Sequence, residues 1–183
     1  RKSGRERRGA GATSAFFDAI RTLALLAAER RPAHIKGPPI RHLLGELGSL
    51  TNSFGRADKG ALKIEPAAEP RVVMLLPGFG THPVRMRHMA QELERAGHTV
   101  KRWGLGFNLG PTPENFAAVV ARVLALDRRH KQKIVLVGWS LGGLFAREIA
   151  KCQPDAVAKV ITMGSPFSGD PRANNAWRIY QLI

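Results

Sequence analysis

The sequence predicts an α/β fold, a mainly parallel sheet with helices on both faces, and three observations carry that expectation. From residue 71 onward, short apolar runs alternate strictly with segments of helical periodicity, the pattern that specifies parallel strands joined by right-handed helical crossovers. The run just before residue 138, IVLV, is continuously apolar and rich in β-branched residues, as a strand buried on both faces must be, and RVVMLL at 71–76 likewise reads as a buried strand. Between the run at 133–137 and a helix-forming stretch at 143–151 lies Gly138-Trp139-Ser140-Leu141-Gly142, a G-x-S-x-G that turns a strand into a helix within a few residues.

In chain order, residues 1–12 (RKSGRERRGAGA) carry charge and glycine with nothing to bury, and are expected to be a disordered basic tail. Ser14 is a good N-cap, and Phe17, Ile20, Leu23, Ala24 and Ala27 recur at helical spacing before Pro32. This helix is expected either to pack on the main domain or to lie on a membrane surface beside its flanking Arg and Lys residues. Gly37-Pro38-Pro39 breaks the chain before a second short helix over 40–50, with Leu43, Leu44 and Leu47 inward. Residues 51–70, punctuated by Gly55, Gly60, Pro66 and Pro70, read as loop with at most one short strand over 61–64. Residues 13–70 are thus a helical segment and linker, and 71–183 the core.

The core opens with a strand over 71–76 (RVVMLL), followed by Pro77-Gly78-Phe79-Gly80-Thr81-His82-Pro83. A helix is expected over 84–96, with Met86, Met89, Ala90 and Leu93 on one side and Gly97 as its stop. A second strand spans 98–103. The loop 104–111 carries three glycines and leads to Thr112 as N-cap and Pro113 at the first helical position. The helix that follows runs through Phe116, Val119, Val120, Val123 and Leu124 to residue 126, and a charged turn over 127–131 precedes the central strand. A fourth strand over 159–164 (KVITMG) leads to Ser165-Pro166-Phe167-Ser168-Gly169-Asp170, and residues 173–183 read as a helix with no stop signal.

Composition narrows the classes. Lys and Arg number 29 against 14 Asp and Glu, for a net charge of +15, and 13 of the basic and 7 of the acidic residues lie in 1–70, so the excess is spread along the chain. Such a field favours anionic surfaces or substrates. No aromatic-interleaved basic motif, zinc spacing or recognition-helix pattern accompanies it, so nucleic acid is not expected as a partner. Cys152, the single cysteine, sits at a predicted helix end before Pro154 and is expected to be structural. No apolar run approaches the length of a membrane span, and Asp18 and Arg21 interrupt the N-terminal apolar stretch that a signal peptide would need. A cytoplasmic location, with membrane-surface association as the alternative, is the expectation. The chain starts at Arg1 without methionine and reads as a fragment.

The chemistry centres on the elbow. A serine hydroxyl is a poor nucleophile until a base takes its proton, and a serine on a strained strand-to-helix turn exposes Oγ while the helix N-terminus faces the reacting carbonyl. Gly138 and Gly142 are needed to avoid clashes beside it. The Leu141 N–H, next in sequence, is a candidate oxyanion donor. In an open parallel sheet ligands sit at the carboxyl ends of the strands, where the loops 77–83, the elbow and 164–170 meet. Gly78 and Gly80 allow close backbone approach there, which makes the Phe79 N–H the second candidate donor; losing one such donor typically costs about 3 kcal/mol of transition-state stabilisation.

The succession of strand, PGFG loop, strand, helix, strand, GWSLGG elbow, strand and GSPFSG loop over 71–170 resembles the α/β-hydrolase superfamily. ITMGSPFSG is similar to the strand and loop after the elbow in lipase-like members. The resemblance implies Ser140 as nucleophile and the N–H groups of Phe79 and Leu141 as oxyanion hole, with a small acyl substrate and no cofactor or metal. Pro77 stands where many relatives have histidine, but the donor is the backbone two positions on. The family order is Ser, then Asp or Glu, then His, yet after Ser140 the acids are Glu148, Asp155 and Asp170, and all six histidines (34, 42, 82, 88, 98 and 130) precede it. The core is therefore expected to be incomplete, cut before its last strands and inactive as this fragment. Asp170, on the loop after the fourth strand, is a candidate acid, and His82 a candidate base.

Two function classes follow. One is a serine hydrolase cleaving a carboxylic ester or related acyl substrate through an acyl-serine intermediate, with acyl transfer open on the same fold. The other is a non-catalytic hydrolase-like module whose basic surface binds an anionic partner or membrane. Trp139, Phe79 and Phe167 fit an apolar acyl group and core packing equally well.

Overall fold

Four short strands and the helices between them form one parallel sheet in the computed structural model, which describes residues 65–165. Strands β1 (Val72–Leu76), β2 (Thr99–Arg102), β3 (Ile134–Trp139) and β4 (Val157–Met163) lie in the order β2-β1-β3-β4, each neighbouring pair parallel. Helix α1 (Arg87–Arg95), entered through a short 3-10 helix at Pro83–Met86, follows β1; α2 (Pro113–His130) follows β2 and α3 (Leu141–Cys152) follows β3. The expected fold class, a parallel sheet flanked by helices, is the observed one.

Burial follows from the sequence pattern. All five residues of β1 are buried, as an unbroken VVMLL run between two strands requires. Alternation along the strand sends Val73 and Leu75 to one face, where with Val137 they pack against Met86 and the half-buried Met89, Ala90 and Leu93 of α1. Met74, Leu76 and Leu136, all fully buried, alternate to the opposite face. Helix α3 buries Phe145, Ala146 and Ile149 and packs against β3 and β4. The Phe145 ring meets Trp103 edge-on at 6.0 Å and Phe116 of α2 at 6.1 Å. Each such buried aromatic contributes about 1.5–3 kcal/mol of transfer free energy. Among the described residues no helix is long and apolar enough to cross a membrane.

Boundaries moved in several places. The segment 127–131, expected as a charged turn, is the last turn of α2, which ends at His130 with Lys131 in the left-handed region at φ 50°, ψ 34°. Nothing in Asp127-Arg128-Arg129 breaks a helix, and its three basic residues, Arg128, Arg129 and His130, complement the negative helix end. Strand β4 begins at Val157, two residues before the expected 159, because Val157 pairs with Ile134 across a register shift at Ile134/Val135. Strand β2 is trimmed to Thr99–Arg102. The expected helices at 14–31, 40–50 and 173–183, and the tail at 1–12, lie outside the described residues.

Lys131 sits where a side chain costs about 1 kcal/mol relative to glycine. Lys131→Gly is therefore expected to leave stability unchanged or raise it by up to about 0.5 kcal/mol, since greater freedom of the unfolded chain offsets part of the relief. A thermal melt checks it, and a loss above about 1 kcal/mol would show that the lysine side chain has a role this geometry lacks.

Cys152 is buried at the end of α3, and desolvation, with a smaller push from Glu148, raises its thiol pKa above the ordinary value. The folded state therefore holds the thiol proton more tightly than the unfolded chain does. The associated stability is complete below the ordinary thiol range and is lost as pH rises through it. Native alkylation is expected to be slow at neutral pH and to become fast on denaturation, read by intact mass.

Candidate active site

The strand order fixes where a ligand can bind. The connection from β1 runs to β2 on one side of the sheet and the connection from β3 runs to β4 on the other, so a crevice opens outside the carboxyl ends of β1 and β3. The 77–81 loop leaves β1 at that point, and Ser140 follows β3. A Cβ added to Gly78 would lie 3.3 Å from both Ser140 Cβ and the Trp139 carbonyl oxygen, which places the two segments in contact.

Ser140 has φ 52° and ψ −120°, a backbone conformation that a non-glycine residue adopts at a cost of about 1–3 kcal/mol. Close packing enforces it. The Ser140 N–H donates to the Met163 carbonyl at 2.8 Å, tying the end of β3 to the end of β4. The Ser140 carbonyl accepts from the Gly143 N–H at 2.9 Å and from Ser165 Oγ at 2.8 Å. A Cβ on Gly138 would overlap the Gly142 carbonyl and Gly143 Cα; one on Gly142 would overlap the Leu76 carbonyl and stand 2.7 Å from that of Pro77. On Gly143 it would displace Ser165 Oγ. The need for glycine on both sides of the serine, expected from the motif, thus has identified neighbours behind it, and the second glycine of the GG pair makes room for Ser165.

The loop after β1 is as tightly held. Thr81, 8% exposed, donates to the Gly78 carbonyl through both Oγ1 (2.7 Å) and its N–H (3.2 Å). Asn108 is fully buried and bridges two loops: Nδ2 donates to the Pro77 carbonyl at 2.7 Å, and its carbonyl accepts from the Gly80 N–H at 2.7 Å. Its own N–H donates to the Thr81 carbonyl at 3.0 Å, and Oδ1 accepts from the Gly110 N–H at 3.2 Å. Every polar function that an asparagine side chain and backbone offer is engaged, save one amide hydrogen. Neither Thr81 nor Asn108 nor Ser165 is marked in the sequence, because isolated polar residues in loops carry no periodicity; only the glycines beside Asn108 hinted at a constrained turn.

Leu141, the first residue of α3, has a buried side chain and an N–H that helix geometry leaves without an intrahelical acceptor. Phe79 is half-buried, with its ring edge close to Gly110. Trp139 joins the cluster under α1, so packing accounts for it. Beyond the loop, Phe107 and Leu109 flank Asn108 and are 59% and 68% exposed, the Phe107 ring lying 5.2 Å from that of His82.

The candidate base, His82, caps the 3-10 helix: Nδ1 accepts from the Val84 N–H at 3.2 Å. A neutral imidazole in that role carries its proton on Nε2 and has no second lone pair to offer. His98 likewise accepts the Arg71 N–H through Nδ1 at 3.1 Å. The candidate acid Asp170, and Phe167, lie outside the described residues.

A glycine-flanked serine on a strained strand-to-helix turn at the switch point of a parallel sheet defines a class, and a family model described as the alpha/beta hydrolase fold matches residues 71–182; the chain belongs to that family. Among individual proteins, it is 33% identical over 110 residues to a pimeloyl-(acyl-carrier protein) methyl ester esterase of Aliivibrio salmonicida, covering 58% of this chain and 40% of that protein. It is 34% identical over 108 residues to the enzyme of the same name from Vibrio parahaemolyticus, with the same coverage of 58% and 40%. The chain thus spans about 40% of the length of these curated relatives. A crystal structure of a mature Bacillus licheniformis lipase aligns with a TM-score of 0.45 at 18% identity, over 58% of this chain and 45% of that one.

Proposed function

We propose that this protein is a serine esterase with Ser140 as nucleophile, acting on a small carboxylic ester. The observation that carries the reading is the Ser140 backbone at φ 52°, ψ −120°, a strained conformation imposed by contacts that glycine alone permits on either side. Strain at one half-buried serine, next to a loop clamped on its other side, supports a site organised for attack by Oγ. The relatives named as methyl ester esterases support an ester as the substrate class.

In this reading Ser140 Oγ attacks the ester carbonyl carbon as its proton passes to a base. The carbonyl π bond opens to an oxyanion, which accepts hydrogen bonds from the N–H groups of Phe79 and Leu141. Collapse breaks the bond to the alcohol oxygen, which leaves with the proton held by the base. Water then attacks the acyl-serine by the same route and regenerates the hydroxyl. Nδ1 of both His82 and His98 is occupied by a backbone N–H, so neither serves as the base in this reading.

The test is covalent. The full-length protein is treated with a fluorophosphonate and the adduct located by peptide mass spectrometry. Labelling on Ser140 is the expected result. Failure to label Ser140 in a protein that is folded would instead favour the non-catalytic binding module.

A further inference from the structure

The two proposed oxyanion donors share a feature that concerns the other end of each peptide unit. The Phe79 N–H belongs to the planar unit whose carbonyl is that of Gly78, and the Leu141 N–H to the unit whose carbonyl is that of Ser140. In a trans peptide the N–H and C=O point in opposite directions, so whatever fixes the carbonyl also aims the N–H. The Gly78 carbonyl accepts Thr81 Oγ1 at 2.7 Å, and the Ser140 carbonyl accepts Ser165 Oγ at 2.8 Å. Both hydroxyls come from loops at the carboxyl ends of the two strands that flank β3, Thr81 after β1 and Ser165 after β4, and Thr81 is buried. Each carbonyl also takes a local backbone N–H, from Thr81 and from Gly143. A carbonyl carrying two donors is polarised, and resonance passes that polarisation to the amide hydrogen at the far end of the unit.

We infer that Thr81 and Ser165 are positioning residues: their hydroxyls aim and strengthen the Phe79 and Leu141 amides as donors to the transition-state oxyanion. This rests on the esterase reading above. Asn108 completes the clamp on the first loop, because its bonds to the Pro77 carbonyl and the Gly80 N–H hold the peptide units on either side of the Gly78–Phe79 unit. Three consecutive peptide planes are thereby fixed. Neither hydroxyl touches substrate. Their effect is on the direction and strength of amides that do, so the loss from removing one is smaller than the 10²- to 10³-fold typical of removing a donor itself.

The experiment uses the full-length protein and the substitutions Thr81→Val, Thr81→Ser and Ser165→Ala. T81V is nearly isosteric and removes the hydroxyl; T81S keeps it. Two readouts are taken. The first is kcat per active site, titrated with a fluorophosphonate so that only folded sites count, together with KM and the Ki of a trifluoromethyl ketone. T81V and S165A are each expected to lower kcat about tenfold with KM little changed, and to weaken the ketone in parallel. T81S is expected to recover most of the loss. The second readout needs no activity: in ¹⁵N-labelled protein the Phe79 amide proton moves upfield in T81V and the Leu141 amide proton in S165A, each with little change elsewhere. Should T81V fold poorly, Thr81→Ala is read in the same two ways. Amides that do not move overturn the inference whether or not esters are hydrolysed, and so does a T81S protein as impaired as T81V. Amides that move in a protein whose Ser140 takes no probe uphold the positioning role and sink the esterase reading alone.

Discussion

Ser140→Ala is expected to lower ester turnover by the full-length protein by about 10⁴-fold or more, and Ser140→Gly by as much, while the two part company in stability. The activity loss follows from removing the only atom that forms the acyl bond in the proposed reaction. The stability difference follows from the backbone. At φ 52°, ψ −120°, any residue with a Cβ is strained by about 1–3 kcal/mol, and alanine keeps that strain whereas glycine does not. Glycine also makes the unfolded chain more flexible, which takes back about 0.5–1 kcal/mol. S140G is therefore expected to melt above S140A by an amount equivalent to about 1 kcal/mol, or a few degrees for a domain of this size. Paired melts with hydrolysis rates decide the matter. An S140G protein less stable than S140A would mean that the serine conformation is not strained in the protein. Retained turnover in S140A would mean that hydrolysis runs through another group.

How far the sequence revealed this site depended on whether its residues belong to a pattern. Strands β1 and β3 were legible because each is a short apolar run flanked by turn residues, and both are buried in the middle of the sheet as their composition requires, whereas β2, TVKR, was legible only from its place in the alternation. Ser140 was legible because its glycines recur at fixed spacing for a steric reason that holds in any strand-to-helix elbow. The end of α2 was not legible: a charged stretch reads as a turn, yet Asp127 to His130 continue the helix at no cost because their side chains need no burial and the basic ones favour the helix end. Nor were Thr81, Asn108 and Ser165. Their partners lie 3, 31 and 25 residues away, and the last two pairs meet only once β1, β2, β3 and β4 are side by side. His82 reads two ways in the sequence, as a candidate base after the PGFG loop and as the residue just before a helix start; in the fold its Nδ1 serves as the cap.

Gly142→Ala tests the packing that makes the elbow possible. The added Cβ would overlap the carbonyl of Leu76 and come within 2.7 Å of the Pro77 carbonyl oxygen, both backbone atoms at the end of the central strand β1. A flexible side chain can yield to a methyl group; hydrogen-bonded strand backbone cannot do so without moving the sheet or α3. Overpacking of that kind exceeds the usual 1–3 kcal/mol, and a loss of about 3 kcal/mol or more is expected. Gly80→Ala is the matched control. Gly80 has φ 65° with nothing within 4 Å of its would-be Cβ, so only the left-handed strain of about 1 kcal/mol applies. The activity effects should divide in the same order, because displacing α3 by even 1 Å shifts the Leu141 amide from its proposed place as an oxyanion donor, and such misplacement can cost about 10²-fold. Circular-dichroism melts of the two variants, with turnover per titrated serine, give the comparison. If G142A is no worse than G80A, helix α3 does not approach β1 as closely as this packing requires, and the origin of the Ser140 strain must lie elsewhere.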